Sequence, residues 1–276
     1  MKETTKILYI NSEIFPYIPE TAISTTGRFL PQGIQESGKE IRSFMPRYGC
    51  INERRNQLHE VIRLSGMNLV VNDVDRPLII KVSSISSARM QVYFIDNEDY
   101  FKRKQIANDV DGNFFEDNDE RAMFFARGVL ETVKKLRWKP DVIHCQGWIS
   151  HFLPFFLKKV FSQDPIFAET KVVLSLYNEY LDEKYDANIV KKLHDCPVSA
   201  EDAAILASPT GINLAEFAIR YSDGLIQGEE SLDPRLAQLV EKSELPLLGY
   251  TPSNQTDFTY VAAYNNFYDK LLGLND

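Results

Sequence analysis

The residues able to do chemistry are spread thinly along this chain, and most of their spacings fail the test for a known device. Asp109-Val110-Asp111-Gly112 sets two carboxylates ahead of a glycine, as a calcium loop does. Such a loop needs a third ligand before its glycine and a glutamate six positions after it. The third ligand is missing and Asn118 stands at the sixth position, so a solvated acidic loop is expected. His144-Cys145 and His194-Asp195-Cys196 offer nitrogen and sulfur ligands, without the paired spacing of a zinc site. There is no Gly-x-Ser-x-Gly elbow, no P-loop and no Gly-x-Gly-x-x-Gly after the first apolar run. What remains are polar groups that close β-rich runs: Glu13 after Ile7-Leu8-Tyr9-Ile10, His144 at the end of Pro140-Asp141-Val142-Ile143, and Asn178 after Lys171-Val172-Val173-Leu174-Ser175-Leu176. Open α/β sheets bind ligands at such strand ends.

The elements that must position these residues alternate strand and helix. A helix is expected from about Thr25 to Ser37, stopped by Gly38, then a strand Ile41-Arg42-Ser43-Phe44-Met45 closed by Pro46. Buried runs alternating with helices predict a mostly parallel sheet covered on both faces. A hairpin interrupts that rhythm, with Pro77–Val82 and Met90–Ile95 flanking a Ser-rich turn. Phe125, Val129, Val133 and Leu136 share one face of a helix over residues 118–136. A further helix is expected near Ser150–Phe161 and another strand at Asp223–Ile226. A last helix is expected over about residues 256–272, with Val261, Tyr264, Tyr268 and Leu271 aligned; that face needs a surface to cover. The chain reads as one domain over residues 1–276, with a core at 6–250.

Composition limits the classes of function. The 276 residues carry 31 Lys+Arg against 39 Asp+Glu, a net charge of −8, which argues against tracking phosphates or an anionic membrane. No apolar run approaches the roughly 20 residues of a membrane span, and the N-terminus lacks a signal-peptide core. Cys50, Cys145 and Cys196 are odd in number and widely spaced, as suits reduced thiols, so a cytoplasmic protein is expected.

An ordered series of segments resembles bacterial glycogen and starch synthases. Lys6-Ile7-Leu8-Tyr9-Ile10-Asn11-Ser12-Glu13-Ile14-Phe15-Pro16, Leu30-Pro31 and Met45-Pro46-Arg47-Tyr48-Gly49 are similar to that family's opening K-I-L-Y-V-x-S-E-x-x-P strand and its M-P-x-Y. Tyr93-Phe94-Ile95-Asp96-Asn97 with Tyr100-Phe101 resembles its hairpin strand. Asp117-Asn118 with Arg121 resembles D-N-x-x-R-F, and Trp138-Lys139-Pro140-Asp141-Val142-Ile143-His144 with Trp148 resembles W-K-P-D-V-I-H-x-H-D-W-H. Ser175 and Asn178 fall on T-I-H-N, and Tyr221-Ser222-Asp223 on Y-A-D. The resemblance covers roughly residues 6–226. It implies the N-terminal, acceptor-side domain of a GT-B glycosyltransferase, a Rossmann-like fold. In that family a C-terminal domain grips ADP-glucose and supplies the catalytic glutamate and the basic pair. The resemblance also implies that the last helix packs on the flank of the first strands, as the family's crossing helix does.

Several polar positions depart from the family. Its K-T-G-G-L-x-D reads Pro19-Glu20-Thr21-Ala22-Ile23-Ser24-Thr25, so the diphosphate-binding cation is gone and Cβ atoms stand where backbone must approach phosphate. The sugar-contacting tyrosine of L-Y-G-D is Ala107, H-D-W-H reads Gln146-Gly147-Trp148-Ile149, the histidine of T-I-H-N is Tyr177, and Glu229-Glu230 replace V-S-P. By resemblance the substrate-binding candidates are Glu13, Thr21, Ala22, Arg121, Gln146, Trp148, Tyr177 and Asn178, with no catalytic residue, metal or cofactor assigned. Trp148 can stack on a sugar or fill the core; Arg121 is expected to pair with Asp117 one turn away, and His144 to be a satisfied core histidine. Three readings stay open: a non-catalytic protein that binds an α-glucan, a nucleotide sugar or a protein partner; one half of a split transferase; or a structural or regulatory module whose old cleft is filled by Tyr177 and Ile149.

Overall fold

The computed structural model describes residues 4–252 and 259–274. The central strand β1 (Lys6–Asn11) lies parallel between β2 (Glu40–Pro46) and β7 (Val142–Gln146). Ile7 to Ile10 are all fully buried, because helices cover both faces. On one side the sheet runs from β2 to β6 (Met90–Asp96), then antiparallel to β5 (Val74–Ile85) and β3 (His59–Glu60). On the other side β7 is followed by β8 (Lys171–Leu176), β9 (Gly224–Gln227) and β10 (Leu247–Leu248), all parallel. Strand order therefore reverses between β1 and β7, the point at which such a sheet opens a crevice at its C-terminal edge.

The hairpin is present as β5 and β6, turning through Ser86–Ala88 and a left-handed Arg89. β5 is longer than the sequence reading had it: its first half pairs with β4 (Met67–Val71) through a tight turn in which Asn72 and Asp73 both have positive φ. Helix α1 (Ala22–Glu36) starts three residues before the expected Thr25. Thr21 and Ser24 form a capping box there, and a serine at the fourth position hides that signal from a search for Glu or Gln. Gly38 (φ +99°) ends the turn that follows. Between α2 (Glu98–Phe101) and α3 (Asn118–Leu136) the Asp109 loop closes on itself, Asp109 accepting from the amides of Asp111 and Asn113. The expected helix near 150–161 is a short α4 (Leu153–Phe155) running into a wide π turn over Phe156–Val160. Beyond β8 come α5 (Ile189–Lys192), α6 (Ala200–Ile205) and α7 (Gly211–Arg220); α8 (Pro234–Ser243) follows β9.

The last helix, α9 (Thr259–Leu271), follows β10; its expected first three residues, 256–258, lie outside the described residues. It lies where expected, on the sheet face formed by Ile7, Tyr9, Val142, Val173 and Ile226, beside Leu30 and Ile34 of α1. Its buried stripe is Tyr260, Val261, Tyr264, Phe267 and Tyr268, with Leu271 at the margin. Gly224 permits this approach, since a Cβ there would meet Leu271 at 2.9 Å and Phe267 at 3.0 Å. Helices α3, α4 and α7 cover the opposite face.

Candidate functional site

The crevice at the strand reversal is built from the residues that follow β1, β7 and β8, and its floor is closed by their own side chains. Gln146, fully buried at the end of β7, donates to Asn11 Oδ1 (2.9 Å) and accepts from the Tyr177 hydroxyl (3.2 Å). Ile149 is fully buried beneath. Gly147 has φ +84°, and a Cβ there would meet Ser12 Oγ at 2.0 Å, so β1 and β7 close on a residue that only glycine can be.

Glu13 turns toward the start of α1, where its carboxylate accepts from the Thr21 hydroxyl at 2.7 Å. The same Thr21 oxygen accepts from the Ser24 amide at 2.9 Å. The Ser24 amide in the first turn of α1, the natural seat for an anion, thus already has a protein acceptor beside a carboxylate. Burial raises the Glu13 carboxyl, and the Thr21 bond only partly opposes this. Ala22, the first residue of α1, is exposed and carries a methyl group where a diphosphate would need bare backbone.

Glu179 is the functional group that the sequence reading missed. The residue is half-buried, but its carboxyl end turns inward to accept from the Trp148 amide. Burial pushes it up to about 8, with the charges of Glu13 and Glu229 adding to the rise. Its adjacency to Asn178 was the available signal. Asn178 is exposed, and its side chain is spent on the loop after β9: it donates to Glu229 (3.0 Å) and Ser231 O (2.8 Å) and accepts from the Asp233 amide (2.6 Å). That loop leads into α8, whose second residue Arg235 is bound to Asp233 and Asp182. Together these residues line an open polar hollow of about 600 Å³ with Tyr180 and Ser231.

The eight expected site residues therefore fall into separate groups. Glu13, Thr21 and Ala22 meet at the α1 start; Gln146 and Tyr177 form the floor; Asn178 faces the hollow. Trp148 and Arg121 lie together in the core behind the floor, their guanidinium-to-ring distance 5.7 Å. The expected Arg121–Asp117 side-chain pair is corrected: Asp117 takes both guanidinium arms of Arg103 at 2.6 Å each, while Arg121 turns inward to backbone carbonyls. Helical spacing alone could not show that Arg121 is fully buried, whereas Arg103 reaches Asp117 from the loop after α2. His144 is a core histidine, its ring nitrogens each 2.7 Å from a hydroxyl, Tyr268 on α9 and Ser175 on β8. Burial pulls it down to about 3, so it is neutral.

Known proteins agree with this geometry. The chain is 36% identical over 219 residues to a glycogen synthase of Chlorobium limicola, covering 79% of this chain and 44% of the relative. It is 38% identical over 189 residues to that of Chlorobium phaeobacteroides, 68% of this chain and 39% of the relative. It spans under half the length of these curated relatives. In structure it is similar to the catalytic domain of starch synthase IV from Arabidopsis thaliana, bound to ADP and acarbose. That match has a TM-score of 0.73 at 16% identity and covers 93% of this chain and 53% of the other. Residues 6–232 match the family profile described as the starch synthase catalytic domain, so the chain, with its mostly parallel sheet, belongs to the starch synthase catalytic-domain family.

Proposed function

We propose that this chain is a non-catalytic member of its family that binds α-glucan and does not transfer glucose by itself. One observation carries the reading: Thr21 caps α1 and binds Glu13 where the family's glycines would admit the donor diphosphate. Transfer needs that charge stabilised, and loss of one stabilising donor typically costs about 10²–10³ in rate. The lysine at Pro19 and the histidine at Ile149 are replaced as well. The hollow beside Asn178 is lined by the carboxylates of Asp182, Glu183 and Asp233, the Arg235 guanidinium and Tyr180, groups suited to vicinal hydroxyls. The solved relative that carries acarbose supports a glucan as the ligand class. The reading places the protein in the cytoplasm, and among the described residues no helix is long and apolar enough to cross a membrane.

Calorimetric titration of maltoheptaose into the purified chain is expected to show saturable binding, weakened about tenfold by Asp182→Ala with Arg235→Ala. No glucosyl transfer from ADP-glucose is expected; measurable transfer by the chain alone would overturn the reading. The second reading is that the chain is half of a split transferase. It expects transfer only after a second Rossmann-like polypeptide is added.

A further inference from the structure

Arg121 leaves a charge unbalanced in the core. Its side chain is fully buried; Nε donates to Tyr100 O (2.9 Å) and Nη1 to Ile106 O (2.7 Å) and Asn118 Oδ1 (2.5 Å). None of these acceptors is ionised. Asp117, one turn earlier, is already neutralised by Arg103, so a net positive charge stays inside the protein. Burial pulls the guanidinium down to about 10. A buried cation with no counter-charge is costly and is normally paired.

The surroundings of Arg121 specify what would pair with it. The rings of Phe115, Phe101, Trp148 and Tyr48 lie 5.3, 5.5, 5.7 and 6.0 Å from the guanidinium carbon. Phe114 extends this wall from Trp148 (6.1 Å) to Tyr185 (5.0 Å). Among the described residues, four polar atoms of this one cluster are buried without a hydrogen-bond partner: Arg121 Nη2, Trp148 Nε1 and the hydroxyls of Tyr48 and Tyr185. A buried donor left unmet is destabilising. All four can donate, the guanidinium asks for negative charge, and the walls are aromatic.

We propose that this cluster binds a small organic monocarboxylate, with its oxygens on Arg121 Nη2 and the neighbouring hydroxyl and indole donors. Its apolar body lies against Trp148 and Phe114. A phosphate fits worse, because it would press a larger charge against apolar rings behind Glu13 and Glu179. The entry is the strap over residues 177–199, which lays Tyr180 on Phe114 (5.5 Å) and Trp148 (6.1 Å) and carries Tyr185. Lys192 pins the strap to Asp119 and Glu120 of α3 at 2.8 and 3.0 Å. The site lies behind the crevice floor and shares Tyr180 of the strap with the hollow.

Trp138 and Trp148 are the two tryptophans, so a full-length Trp138→Phe chain reports Trp148 alone by fluorescence. Benzoate is expected to give a saturable change, with benzamide, its uncharged counterpart, and inorganic phosphate each about tenfold weaker. Arg121→Gln should abolish the benzoate response. Because that variant risks unfolding, Tyr48→Phe is measured beside it, and a roughly fivefold weaker benzoate affinity is expected with near-UV circular dichroism unchanged. Equal affinity for benzoate and benzamide would reduce the cluster to a general apolar pocket and overturn the proposal. Absence of any saturable change would mean that solvent serves the donors, and would overturn it as well.

Discussion

Thr21 shows how one side chain can close a site while stabilising a fold. Its hydroxyl caps α1 and binds Glu13, so Thr21→Ala should cost about 1 kcal/mol and lower the melting temperature by about 2 °C. The same substitution should not restore ADP-glucose affinity, because Cβ atoms and the Glu13 carboxylate remain. Scanning calorimetry and ADP-glucose titration check the two halves of this statement. Glu179 makes a pH prediction. Burial raises its carboxyl from 4.5 to about 8, so the folded state holds the proton more tightly than the unfolded state. Its favourable contribution is complete below about pH 4.5 and is lost as pH rises toward 8. Urea unfolding at pH 5.5, 7 and 8.5 should show a flatter decline for Glu179→Gln than for the parent; parallel declines would place the titration elsewhere.

At the scale of elements, α9 and the strap are the informative pieces. α9 buries five aromatic or aliphatic side chains against the sheet, each worth about 1.5–3 kcal/mol. A chain ending at residue 252 is therefore expected to be insoluble or to melt far below the parent; matching melting curves would show that the helix is a tail. Tyr268→Phe isolates the polar part of that packing. It strips the hydroxyl from His144 and Tyr9 and should cost about 1–3 kcal/mol by urea unfolding. In the strap, Lys192 bridges Asp119, Glu120 and Asp186. Lys192→Met leaves the carboxylates uncompensated, at about 3–5 kcal/mol. Limited proteolysis should then cut within residues 177–199 first, and an unchanged digestion pattern would show that the strap is held elsewhere.

Across the whole molecule, what the sequence made legible follows the range of the interactions involved. Short β-rich apolar runs and helical spacing located β1, β2, β5 to β8 and α3, because each signal lies in residues close in sequence. That α9 needs a surface was legible from one apolar stripe, while its place on the first strands was implied by the family resemblance. Glu179 and Arg235 were not legible, since their partners stand 31 and 53 positions away; the Arg103–Asp117 pair spans 14 positions and depends on the path of an irregular loop. The β4 ribbon was missed because its Asn72-Asp73 turn lacks the glycine that usually marks it. The α9 contact also bears on synthesis. Tyr9 and Tyr268 meet across 259 positions, so one face of β1 stays uncovered until α9 has left the ribosome. Domains tend to fold from the N-terminus as they emerge, but here β1 waits for a helix that is synthesised much later. During translation its exposed Ile7 and Tyr9 face is the region that a chaperone would have to shield.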